Sequence, residues 1–381
     1  MRIVYVLTSL GIGGAERQVL ALADHMVARG HEVSIMVLRP RLEEQWPTTH
    51  QVIHLNMSKN PISFLAGIAQ ARRFLRNFQP DLVHSHSFHA NIVARLLKLL
   101  VPSIPVLSTV HNVYEGGWSR MAVYRLTDAL SRHTTAVSQA AAERFVQFKA
   151  VPKHKCSVVT NGINTAEFAP SADRRLTMKA SMEANSDFVW LAAGRVAPAK
   201  DYPNLLEAFK QVRAIKPNAQ LWIAGEPGAT DSRRATQFFA GLKKDSPVSV
   251  HWLGLRRDLA ALLDAADAFV LSSAWEGMPL ALAEAMAMEK PVVATDVGGV
   301  RELLWACGSL VPPKDPGALA TAMLELMHTH PEDHLTLGRA ARARIQHYFN
   351  IKDKAHEWES LYQSMLAHRS RPNQPANLLP S

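Results

Sequence analysis

Short apolar runs alternate with longer segments whose apolar residues recur at helical spacing. In the first half of the chain the runs predict strands at residues 3–7, 33–38, 82–84 and 106–109. The segments between them predict helices at residues 15–29, 63–78 and 90–100. Strands that alternate with helices in this way are typical of a parallel sheet built from βαβ units.

The same alternation restarts in the second half. Strands are predicted at residues 189–193, 219–224, 248–252, 268–271 and 291–295, and the last of these is expected to close the series. The pattern weakens at residues 169–187, so we predict two doubly wound α/β domains, at residues 1–170 and 171–345. A strongly helical tail ends in a helix at residues 346–368, and the Pro- and Asn-rich residues 369–381 are expected to be disordered.

Length and composition agree with two domains that each have a core. The chain has 381 residues, of which 48% are hydrophobic and 20% are charged. Only two cysteines are present, which suits a reducing cytoplasm. No apolar run approaches the roughly 20 residues that span a bilayer. We therefore expect a cytoplasmic protein without a membrane-spanning helix.

Positive charge is concentrated in the first half. Residues 1–170 contain 18 Lys and Arg against 10 Asp and Glu, whereas residues 171–381 contain 24 against 23. A basic half of this kind suits an anionic membrane surface or a phosphorylated substrate, and it also suits a solvated face without a partner. Nucleic acid is not expected, because aromatic residues are not interleaved with the basic ones at the spacing of a known module.

A glycine-rich segment, Gly11-Ile-Gly13-Gly14-Ala-Glu16, follows the first predicted strand. Glycines at this position let backbone N–H groups approach a phosphate at the start of a helix. The segment is not a clean dinucleotide fingerprint, because Glu16 stands where a third small residue should be. A plain tight turn explains it equally well.

A basic pair follows the strand at residues 189–193. In Gly194-Arg195-Val-Ala-Pro-Ala-Lys200, arginine offers a planar fork for phosphate oxygens and lysine offers a compact charge. The alternative is a solvated charged loop. Because the pair lies between a strand and a helix, we favour a diphosphate site.

Two glutamates flank the start of a predicted helix after residues 268–271. Glu276 lies in the loop, and Glu284 lies further on, in a helix that Pro279 opens. Glu284 is surrounded by apolar residues, so its carboxylate needs a partner or access to a cleft. The loop and helix start between them offer N–H donors to a phosphate.

Together these motifs resemble the family-four retaining glycosyltransferases, also described as glycosyl transferases group 1. The resemblance rests on Glu276 and Glu284 with seven residues between them, the loop from Gly194 to Lys200, the segment at residues 159–168 and the glycines near residue 13. It implies a GT-B fold, in which two Rossmann-like domains face each other across a cleft. A C-terminal helix would cross back to the first domain.

The resemblance also implies a role for each matching residue. Glu276 would position the sugar near the reacting carbon without acting as a covalent nucleophile, and Glu284 would hold the ribose. The residues expected to bind the nucleotide-sugar donor are Gly13, Gly14, Arg195, Lys200, Gly277, Met278, Pro279, Leu280 and Glu284.

Several histidines stand at the ends of strands in the first half. His111 matches the family histidine on the sugar side, so we assign it a catalytic role, with a structural histidine as the alternative. We place His84, His86 and Asn112 on the acceptor side. His84, His86 and His89 could suggest a metal site, but no carboxylate or cysteine lies among them to complete one, and no Asp-x-Asp motif is present. We therefore expect no metal and no other cofactor.

The sequence thus predicts a retaining glycosyltransferase that acts in cell-surface polysaccharide or lipopolysaccharide assembly. The expected acceptor is a glycan or a polyprenyl-linked lipid. Basic amphipathic segments at residues 61–76 and 118–126 suggest peripheral contact with the inner face of the cytoplasmic membrane, although a core-facing helix with a basic outer face has the same pattern. Two alternatives stay open: a GT-B sugar-nucleotide epimerase and a non-catalytic partner in glycan assembly.

Overall fold

The computed structural model describes residues 1–43, 45–182, 188–227 and 233–367. The predicted disordered tail at residues 369–381 lies outside the described residues. Among those residues, the strands form one parallel sheet of seven strands and a second parallel sheet of six. The predicted fold class, α/β with two doubly wound domains of GT-B type, is confirmed.

The first sheet has the strand order β3-β2-β1-β4-β5-β6-β7. Its strands are β1 (Arg2–Leu7), β2 (Glu32–Val37), β3 (Gln51–His54), β4 (Leu82–His86), β5 (Val106–Val110), β6 (His133–Ala136) and β7 (Cys156–Val158). The helices of this domain are α1 (Gly14–Ala28), α2 (Pro61–Phe78), α3 (Phe88–Leu100), α4 (Gly117–Thr127) and α5 (Gln139–Gln147).

The second sheet has the order β10-β9-β8-β11-β12-β13. Its strands are β8 (Phe188–Ala193), β9 (Ala219–Ala224), β10 (Val250–Gly254), β11 (Ala268–Leu271), β12 (Val292–Thr295) and β13 (Ser309–Val311). The remaining helices are α6 (Ala172–Ser181), α7 (Tyr202–Ile215), α8 (Arg233–Lys244), α9 (Leu259–Ala265), α10 (Leu280–Ala287), α11 (Val300–Leu304), α12 (Pro316–His328), α13 (Pro331–Tyr348) and α14 (Ile351–Ala367).

Each sheet is covered on both faces, which explains why its central strands are buried at nearly every position. In the first domain α2 and α3 pack on one face, while α1 and α14 pack on the other. In the second domain α9, α10 and α13 cover one face, and α7 and α12 cover the other. The carboxyl ends of the parallel strands in each domain are therefore the natural place for a ligand.

The last helix, α14, leaves the second domain and packs on the first. Its buried face places Ala355, Trp358 and Tyr362 in the same apolar cluster as Ile3 and Tyr5 of β1. Its start is fixed where Ile163 forms a β-bridge with Asn350. This is the crossing helix that the family resemblance implies, although the helical tail is broken at residues 349–350 into α13 and α14.

The structure adds four strands that the apolar pattern does not reveal. β3 and β7 have no fully buried residue, and β6 is rich in threonine and histidine, so none of the three stands out as an apolar run. The expectation that residues 291–295 close the second sheet is wrong, because β13 pairs with β12 at its edge. The exact domain limits stay predictions.

Within the described residues, no helix combines the length and the apolar character needed to cross a membrane.

Candidate functional site

The loop after β8 is shaped around Gly194. This glycine has φ +152°, and a Cβ atom built on it would lie 2.7 Å from Cε of Lys200. The Tyr202 hydroxyl donates to the Gly194 carbonyl oxygen at 2.7 Å and anchors the loop to the first turn of α7. The predicted basic pair thus extends from a constrained loop, with the Arg195 side chain exposed.

The Lys200 ammonium and the Glu276 carboxylate meet between two loops of the second domain. Lys200 Nζ lies 2.5 Å from Glu276 Oε1, and the Ser273 hydroxyl donates to the same oxygen at 2.7 Å. The Ser272 hydroxyl donates to the Lys200 carbonyl oxygen at 2.9 Å, which ties the loops together. The predicted phosphate-binding cation and sugar-positioning carboxylate are therefore neighbours.

The loop at residues 276–277 contacts the backbone of the first domain. Gly277 forms an antiparallel β-bridge with Asn112, and a Cβ atom at Gly277 would lie 2.0 Å from the His111 carbonyl oxygen. On the other side of the loop, Gly298 has φ +54°, and its Cβ position lies 1.9 Å from the Glu276 carbonyl oxygen. Only glycine fits these approaches.

Glu284 is buried in α10 and pairs with a residue of the first domain. Arg17 Nη1 donates to Glu284 Oε1 at 2.8 Å, and Arg17 Nη2 donates to Glu167 Oε1 at 2.6 Å. Burial raises the pKa of Glu284, while the charge of Arg17 opposes that shift. Because Glu276 and Glu284 each pair with a separate cation, they do not form an acid–base pair with each other.

The glycine loop before α1 faces the start of α10. A Cβ atom at Gly14 would lie 3.4 Å from Leu280 Cδ1, and one at Gly13 would lie 2.3 Å from Glu16 Oε2. Burial raises the pKa of Glu16, and the charge of Arg195 opposes this rise. The two domains thus approach each other around the predicted donor residues.

The remaining two predicted donor residues lie at the start of α10. Pro279 is the N-cap residue of this helix. Met278 is buried, and its Sδ accepts a hydrogen bond from the Asn161 backbone N–H at 3.2 Å. Met278 therefore contacts the 159–168 segment.

His86 and His111 lie at the carboxyl ends of β4 and β5. Their rings are joined by a contact of 2.9 Å between His86 Nδ1 and His111 Nε2. Burial lowers the pKa of His111 to about 4 and lowers that of His86 well below its usual value. Both rings are therefore neutral near pH 7, so one of the facing nitrogens carries the shared proton.

His84 lies deeper than its neighbours. It is fully buried beneath α14, where its Nδ1 lies 2.7 Å from the Tyr362 hydroxyl and its Nε2 lies 2.6 Å from the Thr109 hydroxyl. A direct acceptor contact would require α14 to move away. Asn112 lies in the partly exposed loop beside Gly277, at the boundary between the domains.

Among the described residues no group of three His, Cys, Asp or Glu is arranged to hold a metal ion. The neighbouring rings of His84, His86 and His111 do not form one, since both nitrogens of His84 already have partners. The independence from metal stays a prediction.

Two charged residues at the domain boundary are absent from the sequence-based predictions. Arg17 contacts Glu284, and Glu302 accepts hydrogen bonds from the backbone N–H groups of Gln139 and Ala140 at the start of α5. Arg17 directly follows Glu16 in the glycine-loop segment, so its place in the first turn of α1 was the available signal. Nothing in the local sequence marks Glu302.

Comparison with known families assigns the chain as a whole. Residues 12–167 match the family model described as Glycosyltransferase Family 4, and residues 187–329 match the model described as Glycosyl transferases group 1. The chain therefore belongs to the GT-B glycosyltransferases of this family. It is an enzyme that transfers glycosyl groups.

Curated relatives cover most of the chain at low identity. The UDP-Gal:alpha-D-GlcNAc-diphosphoundecaprenol alpha-1,3-galactosyltransferase of Escherichia coli is 26% identical over 78% of this chain and 79% of its own. A glycogen synthase of Mycobacterium tuberculosis is 26% identical over 97% and 94%. A D-inositol 3-phosphate glycosyltransferase of Pseudarthrobacter chlorophenolicus is 26% identical over 88% and 86%.

Solved structures share the fold. HepE of Anabaena, in complex with UDP-glucose, superposes with a TM-score of 0.83 at 19% identity over 96% of this chain and 100% of its own. Sucrose-phosphate synthase of Thermosynechococcus elongatus superposes with a TM-score of 0.83 at 21% identity over 97% and 100%.

Proposed function

We propose that the protein transfers a sugar from a nucleotide-diphosphate sugar to a glycan or lipid-linked acceptor, with retention of configuration at the anomeric carbon. The observation that carries the proposal is the contact between Lys200 and Glu276 at the start of α10. It brings a phosphate-binding cation, a hydroxyl-binding carboxylate and a helix N-terminus to one place. Together these three groups can bind a diphosphate joined to a sugar.

The donor would replace the contacts that the charged groups now make with each other. The diphosphate of the donor would contact Lys200 and Arg195, and its sugar hydroxyls would donate hydrogen bonds to Glu276. HepE, whose fold matches, was solved with UDP-glucose, which supports a donor of this class. Negative charge develops on the departing diphosphate, so the cations stabilise the transition state more than the ground state.

In the proposed reaction the bond from the anomeric carbon to the phosphate oxygen breaks, and a bond to the acceptor oxygen forms on the same face. The departing phosphate takes the proton of the acceptor hydroxyl, so no protein nucleophile and no metal are required. Glu276 orients the sugar throughout. The neutral His111 beside Gly277 stands at the boundary where sugar and acceptor would meet.

The acceptor is proposed to belong to cell-surface polysaccharide or lipopolysaccharide assembly. The Escherichia coli relative acts on a sugar linked to diphosphoundecaprenol, which supports a lipid-linked acceptor. A basic first domain suits an acceptor of this kind, because the polyprenyl diphosphate and the lipid surface are both anionic.

Peripheral binding to the inner face of the cytoplasmic membrane belongs to the same proposal. Ile62 and Leu65 of α2 and Trp118 and Leu126 of α4 are exposed, with basic residues on the same helices. Exposed apolar side chains beside basic ones are the features of an interfacial helix. Cosedimentation with anionic vesicles tests this, and loss of binding is expected when Ile62 and Leu65 are both changed to serine.

The transfer itself is tested with a panel of UDP-, GDP- and ADP-sugars and a polyprenyl-diphosphate-linked sugar, in the presence of EDTA. We expect release of nucleoside diphosphate only when both substrates are present, and NMR of the product should show the anomeric configuration of the donor. Conversion of the donor without an acceptor would indicate an epimerase instead. Binding without turnover across the panel would indicate a non-catalytic partner.

A further inference from the structure

Arg17 lies between two carboxylates of different parts of the chain. Its two terminal nitrogens contact Glu284 of α10 at 2.8 Å and Glu167 at 2.6 Å. Phe168 and Trp46 present their rings to its guanidinium, with the carbon Cζ at 4.9 Å and 5.4 Å from the ring centroids. Arg17 is therefore held in place by charge and by aromatic faces.

The Glu284 carboxylate is almost fully buried and pairs with Arg17. Its side chain is only 6% exposed, and the other residues of α10 around it are buried. Arg17 comes from the opposite domain, at the first turn of α1 after the glycine loop. A ligand that enters between the domains and binds Glu284 Oε1 would compete with the Arg17 guanidinium for this oxygen.

We infer that Arg17 is a placeholder for the nucleotide ribose: it occupies Glu284 while no donor is bound and yields this carboxylate to the ribose 2′ and 3′ hydroxyls when the donor enters. The inference rests on the proposed function, which assigns the ribose to Glu284. The inference makes Arg17, a residue of the first domain, a group that opposes donor binding.

The charges of the cluster permit this exchange. A buried carboxylate without a partner is costly, so the pairing with Arg17 stabilises Glu284. After the exchange Arg17 retains Glu167, which is half exposed, so the guanidinium stays paired and hydrated.

The test is the affinity for nucleoside diphosphates by calorimetry at pH 8, using UDP, GDP and ADP. Wild type first shows which of them binds. Arg17→Met preserves an apolar stem between the aromatic rings and removes the competing charge, so we expect about tenfold tighter binding of that nucleotide. Arg17→Lys retains the charge without the fork and should bind with intermediate affinity.

A matched control tests whether tighter nucleotide binding comes from looser closure of the domains and not from loss of the Arg17 charge. Glu302→Gln weakens another contact between the domains, at the start of α5, away from Glu284. Its nucleotide affinity should stay at the wild-type value. Melting curves for each variant identify any that fails to fold, and Arg17→Lys then carries the test alone.

The outcomes distinguish failure of the inference about Arg17 from failure of the proposed function. Weaker binding by Arg17→Met would overturn the inference, because it would make Arg17 a donor ligand. Arg17→Met should raise the affinity for the 2′,3′-dideoxy nucleotide less than it raises the affinity for the ribose form. If wild type binds both forms equally, the assignment of the ribose to Glu284 is wrong, and if it binds no nucleotide, the proposed function itself fails.

Discussion

The Lys200 ammonium lies 2.5 Å from the Glu276 carboxylate, and these are the groups assigned to the diphosphate and to the sugar. A cation and a carboxylate that neutralise each other need no counterions from solvent. In the proposed reaction each would exchange this partner for a group of the donor. The contact would then hold both side chains where the donor is proposed to bind.

Replacing Lys200 by methionine should abolish most of the transfer. The substitution removes the charge that faces the departing diphosphate and leaves Glu276 with the Ser273 hydroxyl alone. We expect kcat to fall by about 10²- to 10³-fold, the range found when one preorganised electrostatic group is removed. Steady-state release of nucleoside diphosphate in the presence of acceptor measures the effect.

The control for this variant is Lys210→Met on α7. Lys210 forms an exposed ion pair with Glu207 in the same domain, so its loss should leave the rate at the wild-type value. Equal rates for the two variants would show that Lys200 does not act on the donor.

Gly277→Ala tests the close approach of the domains. The added Cβ would lie 2.0 Å from the His111 carbonyl oxygen, so the loop must retreat from the first domain. A displacement of about 1 Å at a reacting centre costs on the order of 100-fold in rate, and we expect a loss of this size in kcat/KM. Steady-state release of nucleoside diphosphate at several donor concentrations measures this loss.

Gly241→Ala provides the matched substitution. Gly241 lies in α8, and no described atom comes within 4 Å of its Cβ position, so alanine fits there. This variant should retain activity and gain roughly 0.5–1 kcal/mol in stability, since glycine is unfavourable inside a helix. A similar loss of rate in both variants would contradict a local steric cause.

The sequence predicted the elements whose signal is local. Apolar strands such as β8 and β11 stand between helices with clear periodicity, so their position and the fold class follow from the pattern. Each of these strands and helices is marked within a few turns of chain. That Lys200 and Glu276, 76 positions apart, serve one ligand was predicted only through the family resemblance.

Contacts between distant segments could not be predicted in this way. Arg17 and Glu284 are 267 positions apart, and their pairing depends on how two domains face each other. The burial of His84 depends on α14, which arrives from the far end of the chain. A strand such as β13 is fixed by pairing with β12, since its own residues are too few to mark it.

The low pKa of His111 predicts that the protein loses stability in acid. The pKa of His111 is about 4 in the folded protein, against an ordinary value of 6.5. Below pH 6.5 the unfolded chain therefore binds a proton that the folded chain does not, so the free energy of unfolding falls as the pH falls. For His111 alone the fall between pH 6.5 and 4 amounts to about 3 kcal/mol.

Urea unfolding at several pH values, compared with that of His111→Gln, isolates this contribution. The variant should lose less stability in acid, because the unfolded chain lacks that proton site. Exposed His328 provides the control, and His328→Gln should follow the wild-type curve. Parallel curves for wild type and His111→Gln would show that His111 titrates normally.

Trp358→Ala should show how much the first domain depends on the crossing helix. Trp358 is 4% exposed and packs among Tyr5, His84 and Tyr362, with its ring 4.7 Å from that of His84. Truncating a buried tryptophan to alanine costs about 3–5 kcal/mol, because apolar contacts are lost and a cavity remains. The melting transition of the first domain should therefore fall by roughly 10 °C.

Trp118→Ala removes the same side chain from a position that is 78% exposed, and it should change stability by no more than about 0.5 kcal/mol. Equal melting temperatures for the two variants would mean that α14 does not hold the first domain together in solution.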